Sequence, residues 1–298
     1  ILLNNIMNAN EIREKILKAI PENSIVPEHT DTSHHYRCHL FEGSPLYDSV
    51  TTKTGILDKG YLKKWAIGLT INFVRDNIHR LHDDENRENL LAEAAAQSQN
   101  VLEDAGDVGT RSHNIIENYI NEWIKLGSRP NYPITDLIPK DDTEVRVLSC
   151  VSAAGKFFDD HEIIPVYSEL LVASSRLKTA GTLDFICLIG KVLIEGDKSC
   201  QHEYWNRGTH DDHTLCVKCG RKINYELSIV DWKTSNSIKD KTEYALQTAA
   251  YMRSLIELTG LKPKQLWIIR LDKKSGNYEK GIVGDPNKAM KTYEYIAS

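Results

Sequence analysis

Two stretches decide the fold: Gly181-Thr-Leu-Asp-Phe-Ile-Cys-Leu-Ile189 and Leu227-Ser-Ile-Val-Asp-Trp-Lys-Thr234. Both are apolar runs of strand length, and side chains alternate faces along a strand. In the first, Leu183, Phe185, Cys187 and Ile189 share one face, while Asp184 shares the other with Ile186 and Leu188. In the second, Leu227, Ile229, Asp231 and Lys233 point the same way. A carboxylate that interrupts an apolar strand is costly unless it is paired or bound to a metal. Two Asp on neighbouring strands offer oxygen ligands to a hard divalent cation such as Mg²⁺ or Mn²⁺. Lys233 adds a fixed positive charge for an attacking water or a developing phosphorane oxygen. That combination suits phosphodiester hydrolysis. Read alone, Asp231-x-Lys233 is an ordinary ion pair at a strand end; the Asp-bearing companion strand tips the balance to chemistry.

Working outward, further β-like runs cover residues 166–173, 191–195, 266–271 and 278–283. Helical periodicity covers 10–20, 58–81, 84–99, 109–126, 143–158, 240–259 and 287–296. Residues 21–47, rich in turn formers and His, read as irregular. Helices come first, then a sheet with helices against it, so the class is α/β or α+β. The expected division is an N-terminal extension (1–46), a helical region (47–160) and a catalytic core (161–298) with an insertion at 199–223.

Other residues fit the same site. Gln247 and Tyr251 stand at i and i+4 on one helix, as do His113 and Glu117 on another. Each pair read by itself is structural: a surface Gln, a core Tyr, a lone His. Glu169 lies in the strand ahead of Asp184, placed to bind a metal-bound water, to position Lys233, or simply to face solvent.

The order Gly109-x3-His113-x3-Glu117, Glu169, Gly181-Thr-Leu-Asp184, Asp231-Trp-Lys233, Gln247-x3-Tyr251 resembles the RecB-like branch of the PD-(D/E)XK nuclease superfamily. With Ser49-Val-Thr-Thr52 and Leu62-x2-Trp65 upstream, it is similar to the phage and mitochondrial genome-maintenance exonucleases. The likeness covers about residues 47–283. It implies a restriction-endonuclease-like central mixed sheet flanked by helices. It further implies a metal-dependent DNA exonuclease acting on single-stranded DNA or DNA ends in replication, recombination or repair. Protein partners would then come from those processes. A structure-specific endonuclease of the same fold and a non-catalytic DNA-binding or assembly protein are the alternatives. By the same resemblance Asp184 and Asp231 are Mg²⁺ or Mn²⁺ ligands, helped by His113 and the Trp232 carbonyl. Lys233 is the catalytic lysine, and Glu169, Gln247 and Tyr251 complete the site. The superfamily's proline is replaced by Leu183.

The gap between Asp184 and Asp231 is longer than a hairpin needs. It contains Cys200-x-His202, a 13-residue loop, then Cys216-x2-Cys219-Gly220, which is zinc-site spacing. Cys200, His202, Cys216 and Cys219 are expected to form a closed structural Zn²⁺ site, with His210 and His213 as alternative ligands. Tyr204 and Trp205 would pack beside the metal or stack on a base. Arg176 and Lys178 are further candidates for DNA contact.

The 298 residues are 41% hydrophobic and 27% charged, which is globular composition. No stretch approaches the roughly 18–20 apolar residues of a membrane span. Residues 1–6 are apolar but too short, without a basic flank, for a secretory signal. Clustered Cys and His suit a reduced, intracellular compartment, cytoplasmic or that of a phage host. The net charge of −5 argues against a uniformly basic surface. It conceals an uneven chain: residues 75–107 hold three basic and nine acidic side chains, residues 233–274 nine basic and four acidic. A local basic track for a phosphate backbone is compatible with that distribution.

Overall fold

The structure is a computed structural model and describes residues 8–30, 33–55, 57, 60–82, 84–132, 139–197, 199–200, 204–206, 213–238 and 242–297. Helix α1 (Ala9–Ala19) starts at a capping box between Asn8 and Glu11. Strands β1 (Ile25–Thr30), β2 (Ser33–Cys38) and β3 (Leu46–Ser49) follow, then the short helix α2 (Val50–Thr54). Helix α3 (Gly60–Asp76), a 3₁₀ turn (Ile78–His82) and the 43-residue helix α4 (Asp84–Leu126) form a helical region, closed by α5 (Asp142–Asp160). Strands β4 (Glu162–Ser174), β5 (Thr179–Ile194), β6 (Tyr204–Asn206), β7 (His213–Cys216) and β8 (Lys222–Lys233) come next. Helix α6 (Thr242–Thr259), β9 (Gln265–Leu271), β10 (Tyr278–Ile282) and α7 (Pro286–Ala297) complete the chain.

The fold is mixed α/β, with one open mixed sheet of ten strands among the described residues and helices packed against it. Its centre is β4-β5-β8-β9-β10, antiparallel except where β8 meets β9. A parallel pair needs a crossover, and α6 supplies it. β4 pairs with β5 along one edge from Thr179 to Gly190. The opposite edge of β5 is divided: β3 pairs in parallel at Thr179 and Ala180, and β8 from Phe185 onward. Between these two partners, Gly181 to Asp184 have no strand neighbour on that edge. The catalytic-type residues gather at this break.

Two buried clusters cover the sheet. Ile12, Ile16, Ile186, Leu188, Ile229, Tyr251 and Leu255 belong to one; Ile116, Ile120, Phe157, Phe185, Cys187 and Trp232 belong to the other. Alternation along β5 and β8 thus holds for most of their length. Leu183 departs from it, joining Ile186 and Leu188 rather than Phe185 and Cys187. The departure falls beside Asp184, where Glu169 on the facing strand has φ +52°.

Three expectations change. Within residues 21–47, expected to be irregular, lie strands β1, β2 and the start of β3, because β1 and β2 pair as a hairpin that β3 attaches to β5. The first 46 residues contribute to the core: Ile12, Ile16, Ile20 and Ile25 are buried, and Arg13 Nε donates to the Val166 carbonyl at 3.0 Å. The two helices expected at 84–99 and 109–126 are one helix through Gly106 and Gly109. A 43-residue helix spans about 65 Å, enough to run from the α3 region to the sheet. No described helix is long and apolar enough to cross a membrane.

Gly190 lets β4, β5 and β8 approach closely. A Cβ there would lie 2.6 Å from Ile223 Cγ2 and 2.8 Å from Glu162 Cβ. Gly190→Ala is expected to lower unfolding stability by about 1–3 kcal/mol, read as the shift of a urea midpoint at unchanged slope.

Candidate active site

β5 and β8 stop pairing after Phe185 and Val230. Beyond that point the Trp232 N–H has lost its ladder acceptor, and a buried donor must find another. Asp184 supplies it: Oδ2 accepts from Trp232 N at 2.8 Å. A side-chain carboxylate thus takes the place of a strand carbonyl and is held between the two strands. The Trp232 ring, on the other face, stacks on Phe185 at 6.0 Å. That packing fixes the strand segment from which Asp231 and Lys233, the two neighbours of Trp232, project together on the opposite face.

Asp231 is 1% exposed, and Lys233 Nζ lies 2.7 Å from its Oδ2. Asp231 Oδ1 is buried and has no hydrogen-bond partner. Burial disfavours the charge on Lys233, but Asp231 and Asp184 outweigh burial and raise its pKa. The Tyr244 ring, on the first turn of α6, lies 5.1 Å from Nζ and faces the same ammonium.

Helix α4 crosses the site with residues one turn apart on one face. Gly109 comes close to Thr234, where a Cβ would lie 3.2 Å from Oγ1. His113 Nδ1 is 3.9 Å from Glu169 Oε1 and 4.0 Å from Asp184 Oδ2. One ligand atom from each of His113, Glu169 and Asp184 lies within 4.8 Å of the others. Burial, with Lys233 nearby, pushes the His113 pKa down to about 4. The imidazole is therefore neutral near pH 7, the form that ligates metals. Glu117, one turn further along α4, adds its negative charge to the field at His113 and Glu169.

Glu169 adopts a left-handed backbone within β4, a conformation that costs about 1–3 kcal/mol for a residue with a Cβ. It sits between the Ser168–Phe185 and Leu170–Leu183 pairs, opposite Asp184. Burial, reinforced by Asp184 and Glu117, pushes its pKa up to about 8. Burial also raises Asp184 and takes Asp231 to about 6, against the pull of Lys233. Three carboxyl groups that resist ionisation together beside a neutral imidazole, with a buried oxygen lacking a partner, fit a divalent cation. Oxygen and imidazole donors match Mg²⁺ or Mn²⁺.

Most of the expected constellation meets here. Glu169, read from sequence as a catalytic residue that binds a metal-bound water or positions Lys233, or as a solvent-facing strand residue, stands among the ligand-distance residues. Asp231 stands beside them, in contact with Lys233. Gln247 Nε2 donates to the Tyr251 hydroxyl at 2.9 Å, and Tyr251 packs on Gly181, where a Cβ would lie 2.8 Å from its ring. Ser49 caps α2 through the Thr52 N–H at 2.9 Å, so the Ser49–Thr52 stretch shapes the β3–α2 junction. Arg176 and Lys178 do not join the site. They occupy the β4–β5 turn, eight and six residues before Asp184, about 20 Å or more along a strand, and Arg176 pairs with Glu294 at 3.6 Å. Sequence reading missed Tyr244 and Tyr36. The Tyr36 phenol is pushed up by burial, eased by a hydrogen bond with Thr182, and it feels the charge of Glu169. Neither carries a motif that would have marked it.

In the insert, Cys200, Cys216 and Cys219 bring their sulfurs within 4.8 Å of one another. His202 and His210 lie outside the described residues, as do the side chains of Tyr204, Trp205 and His213. No protein-family model matches this chain, and no curated protein matches it.

A carboxyl whose folded pKa exceeds its unfolded value stabilises the fold at low pH, and that contribution is lost as pH rises through the folded pKa. For Glu169 the window runs from 4.5 to about 8. His113 acts only between 6.5 and about 4, where a falling pH removes stability. Above pH 6.5 Glu169 therefore dominates. Dialysed protein without Mg²⁺ or Mn²⁺ should show a melting temperature that falls from pH 6.5 to 8.5. Glu169→Gln should flatten that slope, and millimolar Mn²⁺ should raise melting most at the alkaline end.

Proposed function

We propose that this chain is a metal-dependent deoxyribonuclease of the restriction-endonuclease-like type, from the RecB-like branch, cutting single-stranded DNA or DNA ends as an exonuclease. One observation carries the reading: five residues from four separate elements, His113, Glu169, Asp184, Asp231 and Lys233, surround the point where β5 and β8 stop pairing. The central mixed sheet with helices against it is the arrangement the resemblance implies.

Asp184, Asp231 and His113, with the Trp232 carbonyl and Glu169, would hold Mg²⁺ or Mn²⁺. The bound ion supplies Lewis-acid polarisation of the phosphodiester and a more acidic water. Lys233 would set a positive charge where negative charge grows on the phosphoryl oxygens; held by Asp231 at 2.7 Å, it is already oriented to do so. Asp231 and Tyr244 aim its ammonium. Burial and the neighbouring carboxylates disfavour the charge on Glu169; with a cation bound to offset them, its carboxylate would orient the attacking water and take its proton. Gln247 and Tyr251 hold the Gly181 segment of β5, and hence the position of Asp184. The Cys200, Cys216 and Cys219 insert serves folding in this reading, as a zinc knuckle. DNA replication or recombination proteins are the expected partners.

Linear single-stranded oligonucleotides with Mg²⁺ or Mn²⁺ should be degraded, and covalently closed single-stranded circles should survive. Cutting of circles would replace the exonuclease reading by an endonuclease. Asp184→Asn and Lys233→Ala should each reduce the rate on the order of 10²–10³-fold or more with circular dichroism unchanged. A wild type inert toward both substrates would favour a non-catalytic DNA-binding role.

A further inference from the structure

The far end of β8 carries a second constellation, built from two turns. After β7, the chain makes a tight knuckle: Gly220 N donates to the Cys216 carbonyl at 2.9 Å, and Cys216 N donates to the Arg221 carbonyl at 2.8 Å. The knuckle requires a left-handed residue, and Gly220 provides it at φ +74°. After β5, Cys200 N donates to the Asp197 carbonyl at 3.0 Å, and Ser199 N donates to Asp197 Oδ1 at 2.8 Å. These turns face each other closely. A Cβ at Gly196 would collide with Cys219 Sγ and lie 2.7 Å from Arg221 Cβ. The 195–197 segment can rest on the knuckle only because position 196 is glycine.

The result is three sulfurs pointing inward. Cys200 Sγ and Cys216 Sγ are 3.9 Å apart, and no disulfide joins any of the six cysteines. A tetrahedral ion with Zn–S bonds of about 2.3 Å separates its sulfurs by about 3.8 Å. Disulfide pairing of these three would leave one thiol over and would need an S–S distance of about 2 Å. Thiolates select a soft or borderline ion over the hard cation suited to the oxygen-rich site. We infer that Cys200, Cys216 and Cys219 bind one Zn²⁺ that clasps the outer ends of β5 and β8 and takes no part in the catalytic cluster. From Lys222 to Asp231 is nine residues, or about 30 Å of strand, so the two metal sites stand at opposite ends of β8. Arg221, beside the knuckle, reaches Glu162 of β4 at 2.6 Å and ties the clasp to the third central strand. The clasp thereby holds the strand pairs that deliver Asp184 and Asp231 to their break.

Metal content tests the inference without any DNA. Full-length protein purified without added metal or chelator should carry one zinc per chain by mass spectrometry of the elements. Cys216→Ser and Cys219→Ser should lower that at least tenfold, and Asp184→Asn should leave it at one. Because a cysteine variant could misfold, the wild type is also measured directly. Its three insert thiols should resist iodoacetamide until a strong chelator is added, and Co²⁺ exchange should produce sulfur-to-cobalt charge-transfer absorption. Zinc below a tenth per chain in the wild type, zinc retained in both cysteine variants, or zinc lost with Asp184→Asn would each overturn it. These readouts stay fixed whether or not the protein cuts DNA, so failure here and failure of the nuclease reading are separable.

Discussion

A buried carboxylate, Asp231, and a second carboxylate and an ammonium largely withdrawn from water, Asp184 and Lys233, sit between central strands, and the rest of the architecture answers to that. Removing such groups from water costs several kcal/mol each unless partners replace the solvent. The Trp232 N–H and Lys233 replace part of it. Asp231 Oδ1 is left without a partner. A sheet that closed fully would leave no room for this arrangement. The separation of β3 from β8 along one edge of β5 creates the room. The left-handed backbone at Glu169 turns a third carboxyl toward the same place, and α4 brings His113 from outside the sheet. Strain and buried charge concentrated at one spot are the usual mark of a functional site.

Much of this was legible in the chain. Asp184 and Asp231 stand out because period-two alternation makes a carboxylate in an apolar strand conspicuous. The β8–α6–β9 order follows from periodicity and from Gly260 and Pro263 after the helix. The joined helix α4 was less legible, because Gly106 and Gly109 interrupt the pattern like loop residues. Yet glycine at 109 eases the approach to Thr234, whose Oγ1 a Cβ would meet at 3.2 Å. The N-terminal strands were masked by their composition: His, Glu and Pro alternate there with few apolar residues, and they are held by pairing, β1 with β2, β2 with β3 and β3 with β5, rather than by propensity. Tyr244 and Tyr36 meet the site only through tertiary packing, which no local spacing encodes.

The two ends of β8 divide labour by ligand chemistry. One end gathers thiols, which suit a closed structural ion; the other gathers carboxylates and a neutral imidazole, which suit an exchangeable hard cation. On the proposed reading, a net charge of −5 is compatible with phosphate-directed chemistry, because the acidic residues near the site would be committed to a cation, and Asp231 and Asp184 raise the pKa of Lys233.

The central claim is that the carboxylates at the β5–β8 break hold a divalent cation. Crystals of the full chain soaked in Mn²⁺, measured for anomalous scattering, test it most directly. The account predicts an anomalous peak bounded by His113, Glu169, Asp184 and Asp231, absent in Asp184→Asn crystals. A Mn²⁺ peak elsewhere with this cluster vacant, or an unchanged peak in Asp184→Asn, would contradict it.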